Sequence, residues 1–140
     1  MATKDAMDTV TSKEIQFFHN LERVEGLGVD IESISRFKKV LSNKIFLKKI
    51  FTDKELIYCL NKNNPGQHLA ARFAGKEAVI KACSKSLGII AMNKIEILPD
   101  SDGTPYVTII NKKGNNHDIK ISLSHSSTQA IAFAIFFNRS

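Results

Sequence analysis

The sequence predicts an α+β fold in which helices pack on one face of an antiparallel sheet, and three observations predict it. An unbroken run of helix-forming residues from about His68 to Ser86 follows Pro65-Gly66 and stops at Gly88. Beyond it the apolar period falls to two, with turn signals at Asp102-Gly103 and Lys113-Gly114-Asn115-Asn116. The 140 residues, 43% hydrophobic and 24% charged, suit one domain; such a chain buries somewhat under roughly 70% of its extended surface and needs no disulfide or structural metal.

Residues 1–22 read as an extension and 23–140 as the single domain. Within the extension, Thr11-Ser12-Lys13-Glu14 has the capping-box form and opens a short helix through Leu21. Val24 to Ile31 reads as a strand ending near Asp30. From Ser33 to about Lys49, apolar Ile34, Phe37, Val40 and Leu41 recur among lysines and predict one basic amphipathic helix. Thr52-Asp53-Lys54-Glu55 is a second capping box, starting a helix through Leu60 that the polar stretch 61–66 ends. After the long helix, Lys94 to Ile97, Tyr106 to Ile110, His117 to Ser124 and Ala130 to Phe137 form an antiparallel meander. The last of these, 8 residues long and the longest apolar run, is far short of the roughly 20 a membrane span needs and reads as a buried strand.

Cys59 and Cys83 lie 24 positions apart in helix-like sequence, with no C-x-x-C and no histidine at ligand spacing, so they read as reduced thiols of a cytoplasmic protein. The first residues carry acids and no apolar stretch of secretory type. Net charge is 20 − 14 = +6, which favours anionic partners: nucleic acid, a phosphorylated cofactor or an acidic protein. Nucleic acid is the weakest of the three, because the aromatics are mostly Phe at core-like spacing, Trp is absent, and no RNP or zinc-finger pattern occurs.

On the long helix, Glu77 falls within the arc of apolar and small side chains, where a carboxylate is largely desolvated and needs a cation; Lys81, four positions on, is within reach. A solvated Glu-Lys surface pair explains the same spacing. Arg72 and Lys76 form a like-charged i,i+4 pair that repels unless an anion lies between them, and a phosphate suits them; a solvated basic face is the alternative. Asp30 follows Gly26-Leu27-Gly28-Val29, where two glycines let another backbone or a ligand approach closely. The third glycine of a dinucleotide fingerprint is missing. One Asp and one Glu from separate elements, completed by a phosphate, is a usual way of holding Mg2+. In Ser122-Leu123-Ser124-His125-Ser126-Ser127 a histidine stands beside hydroxyls, as in a hydrolase fragment, a phosphate-binding corner or a structural turn. A nucleophile elbow is absent, which counts against a hydrolase. His19, His68 and His117 show no partner spacing and read as structural or exposed.

Taken together, Gly26-Leu27-Gly28-Val29-Asp30-Ile31 with Arg36, Phe51-Thr52 with Glu55, Ala71-Arg72-Phe73-Ala74-Gly75-Lys76-Glu77-Ala78-Val79-Ile80-Lys81-Ala82, Gly103-Thr104-Pro105-Tyr106 and Ser124-His125 closely resemble the holo-acyl-carrier-protein synthases. These are the short, bacterial-type phosphopantetheinyl transferases, and the resemblance runs from about Glu25 to Phe137. It implies transfer of the 4′-phosphopantetheine arm of coenzyme A to a serine of apo acyl carrier protein, releasing adenosine 3′,5′-bisphosphate, in the service of fatty acid biosynthesis.

By the same resemblance, Asp30 and Glu77 would hold Mg2+ on the coenzyme A pyrophosphate. Lys81 would meet developing charge beside them, completing the catalytic set. Arg72, Lys76, Gly103, Pro105, His125 and Ser126 would bind coenzyme A. Arg36 and Lys39, on the basic stretch with Lys38, Lys44, Lys48 and Lys49, would dock the acidic carrier. The family's fold and its homotrimer, with active sites at subunit boundaries, are implied too; no nucleic acid or membrane is. The extension before Glu25 and Gly75, where the family commonly has Ala or Ser, depart from the pattern; a close approach at Gly75 would account for the second. Two other classes fit the charge: a binding module for nucleic acid or an acidic protein, and a different phosphotransferase or nucleotide hydrolase using the same acids.

Overall fold

The computed structural model describes residues 9–21, 23–110 and 118–137. The turn expected at 113–116, His117 and the start of the extension lie outside the described residues. In chain order the elements are α1 (Ser12–Leu21), β1 (Val24–Ser33), α2 (Ile34–Lys39), α3 (Lys44–Ile50), α4 (Asp53–Leu60), α5 (Pro65–Leu87), β2 (Ile95–Pro99), β3 (Pro105–Ile109), β4 (Asp118–His125) and β5 (Gln129–Phe137). Both capping boxes form. Thr11 Oγ1 accepts from the Glu14 N–H at 3.3 Å, Thr52 Oγ1 accepts from the Glu55 N–H at 3.2 Å, and each Glu carboxylate returns to the Thr N–H.

The single basic helix expected from Ser33 to Lys49 is two. α2 stops at Lys39, and α3 begins anew at Lys44, where the Asn43 side chain accepts from the Phe46 N–H. The apolar spacing continues through the break because Ile34, Phe37, Leu47 and Ile50 are buried in one cluster from both helices.

The expected single meander is likewise two sheets. β1, β5 and β4 form a three-stranded antiparallel sheet in that order, and β2 pairs with β3 as a separate hairpin. β1 also continues past Asp30, which lies in mid-strand opposite Ala132. β5 is not buried throughout. Ala130, Ala132, Ala134 and Phe136 face the core, whereas Ile131 and Phe133 are exposed on the outer face beside Leu27, Val29 and Ile31. The two faces are both apolar, so the alternation is hidden in the residue types.

α5 is the axis of the domain. One core cluster joins its Ala74, Ala78, Val79, Ala82 and Cys83 to the strands; the other joins Leu69, Ala70, Ala71 and Phe73 to α2, α3 and α4. It can lie directly on β1 because of Gly26 and Gly28. A Cβ at Gly26 would stand 1.8 Å from the Ala82 carbonyl oxygen, and one at Gly28 would stand 1.9 Å from that of Ala78. The close approach expected at these glycines is therefore the backbone of α5. Gly75 faces the hairpin and β4 instead, where a Cβ would meet Ile97 at 2.6 Å and Ile121 at 3.1 Å. Cys59 and Cys83 are buried thiols outside any disulfide, and burial pushes the Cys59 thiol up to about 11.

Candidate active site

Gly26, Gly28, Asp30 and Glu32 alternate along β1 and so share the face turned to α5. Asp30 meets Lys81 of α5 there, Nζ to Oδ1 at 3.5 Å, while Lys81 also donates to the Val29 carbonyl at 2.9 Å. The other carboxylate oxygen of Asp30, Oδ2, is buried and has no hydrogen-bond partner among the described residues. A buried carboxylate oxygen without a donor is costly, and it is the feature of this face that ordinary packing does not explain.

Glu77 is half-buried, less desolvated than its helical position suggested, and the cation expected for it, Lys81, leans to Asp30 instead. The Glu77 charge nevertheless reaches an acid of β1. The carboxyl of Glu32 is raised above the ordinary carboxylate value first by burial, then by the charges of Asp30 and, more weakly, Glu77, against the lowering effect of Arg36. Asp30 and Glu32 share the face of β1 turned to α5, with Lys81 at its edge and Glu77 near enough for its charge to reach Glu32; among the described residues no three acids, histidines or cysteines form a group that could hold a metal ion.

Arg72 and Lys76 separate. Lys76 is fully buried and forms an ion pair with Glu55 at 2.6 Å; it also donates to the carbonyls of Met92, at 2.9 Å, and Ile95. Burial lowers the Lys76 ammonium below its ordinary value, opposed by the charge of Glu55. Glu55 in turn accepts from the backbone N–H groups of Thr52 and Ile97, both at 2.9 Å. The anion that Lys76 meets is Glu55, and the expected phosphate contact of Lys76 is corrected: its ammonium is enclosed and fully engaged.

Arg72 is also buried, donating Nε to the Ile97 carbonyl at 3.1 Å, with its guanidinium carbon 4.5 Å from the centre of the Tyr58 ring. It nevertheless lines a cavity of about 290 Å3 together with Tyr58, Gly103 and Pro105 and the β4 residues Ser122 and Leu123. The Gly103 turn, at φ +89, is pinned by Asp100 and Asp102, which accept from the Thr104 N–H, and side-chain hydrogen bonding with Asp100 first, then with Thr104, lowers the Asp102 carboxyl to about 2. His125 stands at the end of β4 with its Nε2 2.9 Å from the Gln67 side-chain nitrogen. Ser126 Oγ accepts from the N–H groups of Thr128 and Gln129, holding the β4–β5 turn.

One neighbour escaped the sequence reading. His68 sits edge-on to Tyr58, 6.0 Å between ring centres, and its imidazole is lowered by burial first and then by the charges of Arg72, Lys62 and His125. The Lys62 ammonium lies 4.4 Å from the centre of the same Tyr58 ring. The i,i+4 spacing of His68 and Arg72 was the available signal, unreadable without Tyr58 between them.

The two groupings flank α5. Arg72 and Glu77 are five positions apart, about 140° round a helix. Asp30 is carried by β1 and the Leu123 lining by β4, with Ala132 of β5 between them in register. On the remaining flank, Arg36 of α2 is held by Glu32 at 3.3 Å, its guanidinium carbon 5.3 Å from the Phe73 ring. Lys38, Lys39, Lys44, Lys48 and Lys49 are exposed on α2 and α3. Among the described residues no helix is long and apolar enough to cross a membrane.

The chain is 46% identical over 114 residues to the holo-[acyl-carrier-protein] synthase of Thermodesulfovibrio yellowstonii, a match covering 80% of this chain and 97% of that one. Its fold is similar to that of the holo-(acyl-carrier-protein) synthase of Bacillus anthracis, solved in complex with CoA (3′,5′-ADP), at TM-score 0.69 and 29% identity over 83% of this chain and 98% of that one. The holo-[acyl-carrier-protein] synthase of Neisseria meningitidis superposes at TM-score 0.70 and 26% identity over 82% and 99%. Residues 26–134 match the model of the 4′-phosphopantetheinyl transferase superfamily, and they include every element of the acidic face, the Tyr58 cavity and the basic helices, so the chain belongs to that superfamily.

Proposed function

We propose that this chain is a holo-acyl-carrier-protein synthase that moves 4′-phosphopantetheine from coenzyme A to a serine of an acidic apo acyl carrier protein. The observation that carries the reading is Asp30: its Oδ2 is buried and bare on a strand held against the helix of Glu77. Hard carboxylate oxygens from two elements fit Mg2+, which keeps several waters and takes its remaining ligands from substrate phosphate. When bound, Mg2+ neutralises the pyrophosphate at the phosphorus under attack.

The protein's own residues do the rest. Lys81, half-exposed beside Asp30, places its ammonium where charge grows on the phosphate oxygens as the bond to the leaving adenosine 3′,5′-bisphosphate breaks. As the serine oxygen forms its bond to phosphorus, its proton leaves through Glu77 or a water that Glu77 holds. Arg72, Gly103 and Pro105 enclose the nucleotide end of coenzyme A in the Tyr58 cavity, with His125 and Ser126 on the adjoining turn. Arg36 and Lys39 receive the acidic carrier, raising its association rate.

The working form is a homotrimer with composite sites. Leu27, Val29, Ile31, Ile131 and Phe133 make an apolar outer face across the paired strands β1 and β5, the kind of surface that a neighbouring subunit covers. The cavity and the acid group lie on opposite flanks of α5, so a cavity of one protomer meeting the acids of its neighbour joins the two halves of the substrate site. Cytoplasmic location and service to fatty acid biosynthesis complete the reading.

The test mixes the protein with apo acyl carrier protein, coenzyme A and Mg2+, with an EDTA control, and records the intact mass of the carrier. A metal-dependent gain of one phosphopantetheine on one serine is expected. No gain with several folded carriers would overturn the reading.

A further inference from the structure

Glu32 belongs to neither half of the reaction as described. It lies on the face of β1 that carries Asp30, two positions further on, and its side chain is 15% exposed while its partner Arg36 is 54% exposed. Its Oε2 accepts from Arg36 NH1 at 3.3 Å, across the junction where β1 turns into α2. Arg36 is at the same time laid against two rings, 5.3 Å from the centre of Phe73 and 5.7 Å from that of Phe37. Phe73 stands one helical turn before Glu77 on α5. A long, half-exposed arginine has many rotamers, and fixing it in one before a partner arrives removes a cost of binding. The carboxylate and the rings together fix this one over the helix that bears the acids.

We propose that Glu32 is a positioning residue for the carrier: it anchors Arg36 on Phe73, so that the guanidinium is presented to the acidic helix of the carrier beside the reacting acids. This rests on the docking role given to Arg36 above. The proposal makes a counter-intuitive prediction of sign. Glu32 is an acid near the docking path of an acidic partner, so charge alone says that its neutralisation tightens binding. Preorganisation says that it loosens binding.

The decisive experiment is a double-mutant cycle of Glu32→Gln and Arg36→Gln on the full chain, reading the Kd of apo carrier in EDTA, with KM and kcat measured separately in Mg2+. Expected is a carrier Kd raised about three- to fivefold by Glu32→Gln, the range of a partly exposed ion pair. The KM for coenzyme A should not move, and the effect should vanish in the Arg36→Gln background. A carrier Kd that falls or stays level in Glu32→Gln, while Arg36→Gln weakens binding, overturns the role of Glu32 and leaves the docking reading intact. If Arg36→Gln leaves carrier binding unchanged, the docking reading and the inference fall together. A lowered kcat at unchanged carrier Kd also overturns it, placing Glu32 with the reacting acids instead.

Discussion

Two lysines five positions apart on one helix each meet a carboxylate, and the two pairs have opposite characters. Lys76 and Glu55 are both fully buried and every partner is local to the fold: two carbonyls for the ammonium, two backbone N–H groups for the carboxylate. Lys81 and Asp30 sit at an edge, 53% and 17% exposed, at a looser 3.5 Å, and one oxygen of Asp30 has nothing to accept. A closed pair fixes structure, because breaking it strands a charge in the core. An open pair keeps capacity for something else. The family-like string that runs from Ala71 to Ala82 therefore mixes two kinds of residue, and identity of motif does not mean identity of role.

Breaking the closed pair should give the largest effect. Lys76→Met leaves Glu55 buried without its cation and should cost about 3–5 kcal/mol in urea unfolding, with activity falling only as folded protein is lost. Asp30→Asn should do the reverse: the unfolding free energy in urea stays within about 1 kcal/mol of the parent, or rises, while transfer falls by about 100-fold or more. If Asp30→Asn unfolds the chain, or Lys76→Met loses turnover without losing stability, the distinction between the pairs is wrong.

Smaller effects sharpen it. Thr52 caps α4 and also donates Oγ1 to Glu96 at 2.7 Å, so Thr52→Ala should cost about 1 kcal/mol through the Glu55 side of the closed pair and leave Kd for coenzyme A alone. The smallest comes from His68. Its imidazole is lowered in the fold, so at pH above its unfolded value near 6.5 both states are neutral and it contributes nothing. Below that the unfolded chain takes up the proton first, and stability falls as pH drops through the interval down to the folded value. His68→Phe should flatten the slope of stability between pH 7 and 5.5 by a few tenths of a kcal/mol per unit, read by thermal unfolding.

Local chemistry was legible and distant chemistry was not. The Thr52-Glu55 box could be read because its hydrogen bonds span three residues, and it forms as expected. The other attachments of Glu55, to Ile97 and Lys76, bridge 42 and 21 positions, which no spacing rule reaches. The sequence could therefore say that Lys76 needed an anion, but not that Glu55 would supply it. Asp30 and Glu77 were found as candidates, but not that Lys81 would choose Asp30. The break between α2 and α3 was masked because burial on both sides continued one periodic pattern, leaving only the Asn43 cap as a trace. The outer face of β5 was masked by the opposite fault: Ile131 and Phe133 are as apolar as the core residues they alternate with.

Gly26 and Gly28 bring α5 against β1 backbone to backbone, leaving no room for a side chain between them. The backbones that carry Asp30 and Glu77 are thereby set against each other by the fold itself. A site framed this way is built by backbone contact between one strand and one helix, before any ligand arrives.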